Sequence, residues 1–321
     1  MTKIWTSLWD GYKNLPSEKI LNEPAGMSQR SEFVGMLLKY FDLKGKTILE
    51  VGTGTGQYSI ELAKRQAICT GIDIEQESID LATRIGKDVG SSATFLKQNL
   101  FDVTDHYDIV FSMGTIEHFT EEEIIAMFIK MSEIADYVVV GVPYSGSHAY
   151  MLSKEMSMQL GTWEYGVEND FETLWDLFIE SGMYFHTETT IGAISEAAYL
   201  KRLNPALIQD QMAINLDKMQ NGDKYGSWLI SIGQHAPGSY LESNIPETFL
   251  PIVDMNVVDR LFTDGALNLY RDMASCPDGT GLLLYRAKKD GSIVSENVII
   301  SKEKNPTNII PVFYTYYREE V

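Results

Sequence analysis

Cysteine is scarce in this chain of 321 residues, which contains only Cys69 and Cys276. Neither residue belongs to a CxxC pattern or to a cluster of cysteine and histidine. A disulfide framework and a cysteine-based zinc centre are therefore excluded. We expect two reduced thiols and no dedicated metal site.

Basic residues are also in short supply. The chain has 26 Lys and Arg against 45 Asp and Glu, so its net charge is −19 at pH 7. Binding to nucleic acid depends largely on Lys and Arg that neutralise phosphates. We therefore expect no nucleic-acid partner, and an anionic membrane surface is disfavoured for the same reason.

Long apolar runs are absent as well. No run reaches the roughly 18 residues that a membrane span requires, and the first residues lack the basic start and apolar stretch of a signal peptide. Hydrophobic residues nevertheless make up 44% of the chain, which is enough to bury a full core. We expect a globular, cytoplasmic protein with no membrane partner.

Stretches typical of strands and of helices alternate through the first two thirds of the chain. Strands are expected at about 46–51, 68–73, 93–97, 107–113 and 136–142, with helices near 57–66, 76–88, 120–133 and 170–181. Segments 183–191 and 226–233 read as two further strands. This order predicts an α/β fold with a seven-stranded, mostly parallel sheet covered by helices on both faces.

Helix-boundary signals refine these expectations. Ser28 is a candidate N-cap for a helix over residues 28–41, and Asp170 for the helix that Gly182 would end. Thr120 and Glu123 form the pattern of a capping box.

Three regions are expected along the chain. Residues 1–27 read as an N-terminal lid segment and 28–235 as the main domain, with a helical insertion at about 193–220. Residues 236–321 read as a small α+β addition, in which Asp290-Gly291 signals a hairpin between two β-rich runs.

The segment ILEVGTGTGQYSIELA, residues 48–63, passes from a strand through alternating glycines into a helix. It places Glu50 before Gly52, Gly54 and Gly56, which is neither a dinucleotide fingerprint nor a phosphate-binding loop with its lysine. Such a loop lies at the carboxyl edge of the sheet, where α/β sheets bind ligands. Positions without side chains allow an adenosine and its attached chain to lie against the backbone.

Polar residues follow the next strands at the same edge. Asp73 ends the second strand, and its carboxylate can accept two hydrogen bonds from a ribose diol. After the third strand, Asn99 can pair with an adenine edge while Ile74 and Leu100 enclose the ring. Successive strand ends thus supply features suited to one adenosyl ligand.

Together with YDIVFSMGTIEHF, VPYSG and EYGVENDFETLWDLFIESGM, these motifs resemble the class I S-adenosylmethionine-dependent methyltransferases. The resemblance is greatest to the broad group that includes the O-methyltransferases of ubiquinone biosynthesis. It covers about residues 28–190, with weaker agreement to 235. It implies a Rossmann-like fold, S-adenosyl-L-methionine as cofactor and S-adenosyl-L-homocysteine as product.

The resemblance also implies roles for individual residues. Gly52 would line the methionine end of the cofactor, Met113 would meet it through its backbone, and Arg30 would lie near its carboxylate. Asn99 departs from the Asp that many relatives carry. The complete set of expected cofactor-binding residues is Arg30, Glu50, Gly52, Thr53, Gly54, Gly56, Asp73, Ile74, Asn99, Leu100 and Met113.

Two histidines are candidate catalytic bases. Methyl transfer from a sulfonium is an in-line displacement, so much of the catalysis comes from positioning, but a phenol or protonated amine must also lose a proton. His118, in the Glu-His pair of TIEHF, is the first candidate, and His148 is the second. The alternative for His118 is a structural role at the start of the following helix.

Acceptor recognition is expected from Tyr144, Tyr150, Trp163 and Tyr165 after the fifth strand. The alternative is that these aromatics form the core of a lid. The sequence thus predicts an enzyme that methylates an oxygen or nitrogen of a small metabolite or natural product. It also allows a homodimer. A peptide or protein acceptor, transfer of a group other than methyl, and a catalytically silent cofactor-binding module remain the alternatives.

Overall fold

The computed structural model describes residues 11–193, 224–234, 280–287, 298–301 and 308–315. It also describes residues 196, 199, 211, 214, 215 and 218 within the segment that joins the last two strands of the main sheet.

A seven-stranded sheet organises the main domain, with strand order β3-β2-β1-β4-β5-β7-β6. Only β7 runs antiparallel to its neighbours within this sheet. The strands are β1 Thr47–Val51, β2 Ile68–Asp73, β3 Thr94–Lys97, β4 Tyr107–Met113, β5 Ala135–Pro143, β6 Tyr184–Ile191 and β7 Trp228–Gln234. The order reverses between β1 and β4, which creates a crevice beyond their carboxyl ends.

Seven helices of the described chain have defined limits. They are α1 Ser17–Leu21, α2 Pro24–Tyr40, α3 Gln57–Ala63, α4 Gln76–Asp88, α5 Glu121–Glu133, α6 His148–Gln159 and α7 Trp175–Glu180. Two 3₁₀ turns, Leu100–Asp102 and Ile116–His118, follow β3 and β4. Among the described helices, none combines the length and the apolar composition that crossing a bilayer requires.

The core lies on both faces of the sheet because alternate residues of each strand point to opposite sides. Leu49 and Val138 belong to a cluster that includes Phe128 of α5 and Phe178 of α7, whose ring centroids are 4.8 Å apart. The neighbouring Ile48 contributes to the opposite cluster, which contains Phe33 and Phe111. Burial on both faces explains why these strands are almost continuously apolar.

The predicted sheet is confirmed, and most element limits agree within two residues. The capping box is also confirmed: Thr120 Oγ1 accepts a hydrogen bond from Glu123 N, and Glu123 Oε2 accepts one from Thr120 N. Gly182, with φ +73°, follows the end of α7 as expected.

Two predicted caps are wrong. Helix α2 begins at Pro24, so Ser28 lies inside it. Proline is favoured in a first helical turn because its missing N–H has no partner there. Helix α7 begins at Trp175, five residues after Asp170, whose Oδ1 instead accepts a hydrogen bond from Lys154 Nζ at 2.8 Å.

A separate three-stranded sheet occupies part of residues 236–321. Strand β8 Thr280–Ala287 pairs antiparallel with β9 Val298–Ser301 and parallel with β10 Asn308–Thr315. The predicted turn at Asp290-Gly291 lies outside the described residues, although β8 and β9 flank it as the two arms of a hairpin would. Within the predicted helical insertion, the described positions from Ala193 to Lys218 are helical.

Candidate functional site

A cavity of about 440 Å³ opens at the carboxyl edge of the sheet, above the ends of β1, β2 and β4. All but one of the predicted cofactor-binding residues line it. They are Arg30, Glu50, Gly52, Thr53, Gly54, Asp73, Ile74, Asn99, Leu100 and Met113. Gly56 does not line the cavity and begins α3 behind the loop.

The glycine loop needs backbone conformations that side chains disfavour. Gly52, Gly54 and Gly56 have φ values of +73°, +52° and +72°. A Cβ atom on Gly52 would also lie 2.4 Å from Oγ1 of Thr115. The loop therefore remains a bare backbone cradle along one wall of the cavity, against which a ligand can lie closely.

Glu50 holds the loop to the following helix. Its Oε2 accepts hydrogen bonds from Thr53 Oγ1 at 2.7 Å, Ser59 Oγ at 2.6 Å and Ser59 N at 3.2 Å. Burial raises the pKa of Glu50 to about 7, and the nearby Asp73 adds to this rise while the three hydrogen bonds oppose it. The Glu50 carboxyl thus holds the glycine loop in place and also lines the cavity.

We expect the stability of the protein to fall as the pH rises from about 4.5 to about 7 because of Glu50. In this window the unfolded carboxyl, with its ordinary pKa of 4.5, has lost its proton while the folded one retains it. The folded state then binds more protons, so its advantage is complete below pH 4.5 and is lost above about 7. The expected change is on the order of 3 kcal/mol.

Urea unfolding at several pH values would measure this change in the wild type and in Glu50→Gln. The amide keeps an oxygen that accepts from Thr53 and Ser59 but has no proton to lose. The difference between the two unfolding free energies should therefore vary with pH only between about 4.5 and 7. A constant difference across this window would remove Glu50 as the cause.

Asp73 joins the glycine loop to the end of β2. Its Oδ2 accepts a hydrogen bond from Gly54 N at 3.0 Å, and its Oδ1 accepts one from Glu75 N at 2.9 Å. Burial raises the pKa of Asp73, and these backbone donors partly oppose the rise. Each carboxylate oxygen can accept a second hydrogen bond, so Asp73 can receive two hydroxyl groups from a ligand.

Arg30 provides a buried cation beside the cavity. Its Nη1 donates to Gln57 Oε1 at 2.6 Å, and its Nη2 donates to the carbonyl of Leu21. Only 5% of the residue is exposed, and it lines the cavity. A guanidinium in this position is suited to a ligand carboxylate.

Another part of the cavity has apolar walls. Ile74 is 57% exposed and Leu100 is buried, and both line the space together with Phe101. Asn99 Oδ1 accepts a hydrogen bond from Phe101 N at 3.0 Å, which fixes the side chain while its amide N–H groups stay available. These walls suit a flat heteroaromatic ring.

The two candidate bases have different surroundings. His118 lines the cavity, and its Nδ1 lies 2.9 Å from the carbonyl oxygen of Val167. Because a carbonyl only accepts, Nδ1 carries the proton and Nε2 is the nitrogen that can accept or ligate. His148 begins α6 and does not line this cavity.

Glu117 is a buried carboxyl next to His118. Its Oε1 lies 3.8 Å from His118 Nε2, and among the described residues its Oε2 has no hydrogen-bond partner. Burial raises the pKa of Glu117 to about 8, with a further rise from Glu168. The Glu-His pair therefore stands between the cavity and a second group of polar residues.

The four predicted acceptor-binding aromatics do not line the cavity. Tyr150, Trp163 and Tyr165 pack on one another, with ring centroids 6.4 Å apart for the first pair and 5.1 Å for the second. Tyr144 lies elsewhere, with Lys224 Nζ 5.5 Å from its ring centroid. The structure thus places three of these aromatics in a packed group outside the cavity and Tyr144 apart from them.

The segment 160–174 supplies contacts that the sequence analysis missed. Asn169 N donates to the carbonyl of Glu117 at 2.7 Å, and Asn169 Nδ2 donates to that of Phe119 at 2.6 Å. These bonds bring Glu168 next to the Glu-His pair. Phe119 and Met127 line the cavity together with His118 and add apolar surface to its wall.

Comparison with known proteins finds similarity over the central part of the sheet. A family of methyltransferase domains matches residues 48–136, which run from β1 into β5. Magnesium-protoporphyrin O-methyltransferase of Synechocystis sp. is 30% identical over 106 residues, covering 32% of this chain and 46% of the relative. Ubiquinone biosynthesis O-methyltransferase of Coxiella burnetii is 33% identical over 103 residues, or 30% and 44% of the two chains. The match thus spans less than half of either relative.

A solved structure also resembles this fold. Magnesium protoporphyrin IX methyltransferase from Synechocystis, with bound S-adenosylhomocysteine, has a TM-score of 0.47 at 16% identity and covers 66% of this chain and 84% of its own. The methyltransferase family match coincides with the strands and loops that build the cavity. Over residues 48–136 the chain is therefore similar to methyltransferase domains.

Proposed function

We propose that this protein transfers a methyl group from S-adenosylmethionine to an oxygen or nitrogen of a small molecule. The observation that carries the proposal is the convergence of Arg30, Gly52, Asp73 and Asn99 on one cavity, although they come from separate elements. Each provides a different kind of contact, and together they match the parts of one adenosyl amino acid. No phosphate-binding lysine is among the residues that line the cavity.

Each group of residues has a distinct role in holding the cofactor. The guanidinium of Arg30 binds the carboxylate, the bare backbone at Gly52 and Gly54 accommodates the methionine chain, and Asp73 accepts hydrogen bonds from the ribose. Ile74 and Leu100 enclose the adenine, whose edge meets Asn99. The cavity volume of about 440 Å³ is within the usual range for small-molecule sites.

The acceptor side lies at His118, Phe119 and Met127. When bound, S-adenosylmethionine supplies a methyl group activated by a sulfonium. The chain's contribution is to align the acceptor, exclude water with Phe119 and Met127, and handle the acceptor's proton through His118. His148 is not proposed for this role because it does not line the cavity.

Two measurements test the proposed function. Calorimetry should show binding of S-adenosylmethionine and S-adenosylhomocysteine but not of nicotinamide dinucleotide. Incubation with methyl-labelled cofactor and fractionated cell extract should place label in small molecules. Label in polypeptides would favour a peptide acceptor, whereas tight binding without any labelled product would favour a silent binding module.

We expect His118→Ala to lower turnover by about tenfold while the affinity for S-adenosylhomocysteine changes by less than about twofold. The imidazole is proposed to act on the acceptor and is not among the groups proposed to bind the cofactor. His106→Ala is the matched control, because His106 is a surface residue near Asp136. Full turnover in His118→Ala would assign His118 a structural role, as would an equal loss in both variants.

A further inference from the structure

Three potential ligand groups meet beside the acceptor end of the cavity. Each of Glu117, His118 and Glu168 offers one oxygen or nitrogen atom, and these atoms all lie within 4.8 Å of one another. The side chains are almost fully buried, with exposed fractions of 2%, 7% and 5%. Glu168 is distant in sequence from the Glu-His pair, so the fold itself assembles the group.

A carboxylate with an unused oxygen points to a missing partner. Glu117 Oε2 is buried and, within the described part of the chain, accepts no hydrogen bond. Buried charged groups are normally paired or bound to metal ions because their desolvation is costly. The distance of 3.8 Å between Glu117 Oε1 and His118 Nε2 is too long for a hydrogen bond but is compatible with two atoms that share a cation.

The surroundings of His118 are those of a metal ligand. Its Nδ1–H donates to the carbonyl of Val167 at 2.9 Å, which fixes the ring and directs the lone pair to Nε2. Histidines that bind metals almost always donate their other N–H in this way. The loop containing Val167 is itself tied down by the two hydrogen bonds that Asn169 makes.

Neighbouring side chains also fix the carboxylate of Glu168. Tyr150 donates its hydroxyl to Glu168 Oε2 at 2.6 Å, and Lys154 Nζ lies 3.2 Å from that same oxygen. Both contacts are on Oε2, so among the described contacts Oε1 is the oxygen that can bind a cation. Such outer contacts orient carboxylate ligands and are part of most metal centres.

The local charge favours a divalent cation despite the ammonium group of Lys154. That group is shared between Glu168 and Asp170, whose Oδ1 lies 2.8 Å from it. When Glu117 binds the cation it releases its proton, and the carboxylates of Glu117, Glu168 and Asp170 then sum with the ammonium group to two negative charges. A divalent cation neutralises them.

We propose that Glu117, His118 and Glu168 bind a divalent transition-metal cation beside the acceptor end of the cavity. One imidazole nitrogen with two carboxylate oxygens suits the series from Mn²⁺ to Zn²⁺, whereas Ca²⁺ and Mg²⁺ prefer oxygen ligands alone. Metal–ligand bonds of about 2.1 Å require the widest pair of ligand atoms to close by roughly 1 Å. Side-chain rotation supplies a movement of this size.

The cation deepens the proposed function. It favours an acceptor that offers an oxygen over one that offers a protonated amine. His118 then acts on the acceptor as a ligand of the cation. This catalytic meaning rests on the proposed function, whereas cation binding does not.

Titration of the purified, chelator-treated full chain with Mn²⁺ tests the site. The electron paramagnetic resonance signal of free Mn²⁺ measures binding, and calorimetry repeats the measurement with Zn²⁺. We expect one site per chain and at least tenfold weaker binding in Glu168→Gln and in Glu117→Gln. Asp170→Asn is the matched control, because it removes a neighbouring charge without removing a ligand. It should weaken binding by less than about threefold.

Absence of Mn²⁺ and Zn²⁺ binding to the wild type would overturn the proposal. So would a loss in Asp170→Asn as large as that in Glu168→Gln, since binding would then reflect general charge. Glu168→Gln keeps the test valid if Glu117→Gln fails to fold. Calorimetry with S-adenosylhomocysteine on the same samples separates this proposal from the proposed function, because none of the three ligands is among the residues proposed to bind the cofactor.

Discussion

Gly56→Ala is expected to lower the free energy of unfolding by about 2–5 kcal/mol. Gly56 has a φ of +72°, which costs about 1–2 kcal/mol for a residue with a side chain. A Cβ atom there would also lie 2.6 Å from the ring of Phe95 and 2.9 Å from Cβ of Ala82. Overpacking of this kind adds roughly 1–3 kcal/mol.

The ring of Phe95 has little room to withdraw from a new methyl group. Cβ atoms on Gly71 and Gly86 would lie 2.8 Å and 3.2 Å from other atoms of the same ring, so three glycines enclose it. The ring also packs in the cluster that contains Ile85. The backbone of the glycine loop must therefore shift to make room for the new methyl group.

Gly90→Ala is the control that separates conformation from packing. Gly90 has a similar φ of +67°, but apart from its chain neighbours no atom of the described residues lies within 4 Å of the position where a Cβ would be. Its substitution should cost only the conformational part, about 1–2 kcal/mol. Urea unfolding of both variants gives the comparison, and equal losses would show that the contact with Phe95 has no energetic weight.

Much of the fold was predictable because its signals are local. Apolar strands between helical stretches, the capping box at Thr120 and the glycine at position 182 each determine structure through nearby residues. Asp170 misled because the helix begins five residues later, at Trp175, and the Asp170 carboxylate pairs instead with Lys154, which is distant in sequence. Local propensity does not reveal such a partner.

The cofactor side of the site was predictable for a related reason. In a parallel sheet, successive strand ends meet at one edge, so strand order alone brings Asp73 and Asn99 to the glycine loop. The acceptor side depends on how the segment 160–174 folds back over the Glu-His pair. One backbone and one side-chain hydrogen bond of Asn169 hold that path, and no pattern in the sequence signals them.

Asp73→Ala is expected to weaken binding of S-adenosylhomocysteine by roughly 30- to 1,000-fold, or about 2–4 kcal/mol. The variant loses two charge-assisted hydrogen bonds to the ribose, each worth about 1.5–3 kcal/mol before solvent compensates in part. It also loses the acceptor for Gly54 N, which holds the loop. Calorimetry measures the affinity, and thermal unfolding shows whether the variant remains folded.

Asp80→Ala tests whether charge alone explains the loss. Asp80 lies on α4 of the same unit, where its Oδ1 accepts a hydrogen bond from Gln76 Nε2 at 2.8 Å on the exposed surface. The variant has the same change in net charge but leaves the cavity intact. Its affinity should remain within about twofold of the wild type.

An analogue of S-adenosylhomocysteine without the ribose 2′- and 3′-hydroxyl groups distinguishes ribose binding from loop support. If Asp73 accepts hydrogen bonds from those hydroxyls, the wild type should bind the analogue far more weakly than the natural product. The Asp73→Ala variant should bind both compounds almost equally, since the partner of the hydroxyls is gone. If the variant still discriminates between them as strongly as the wild type, Asp73 acts only through Gly54 and another residue binds the ribose.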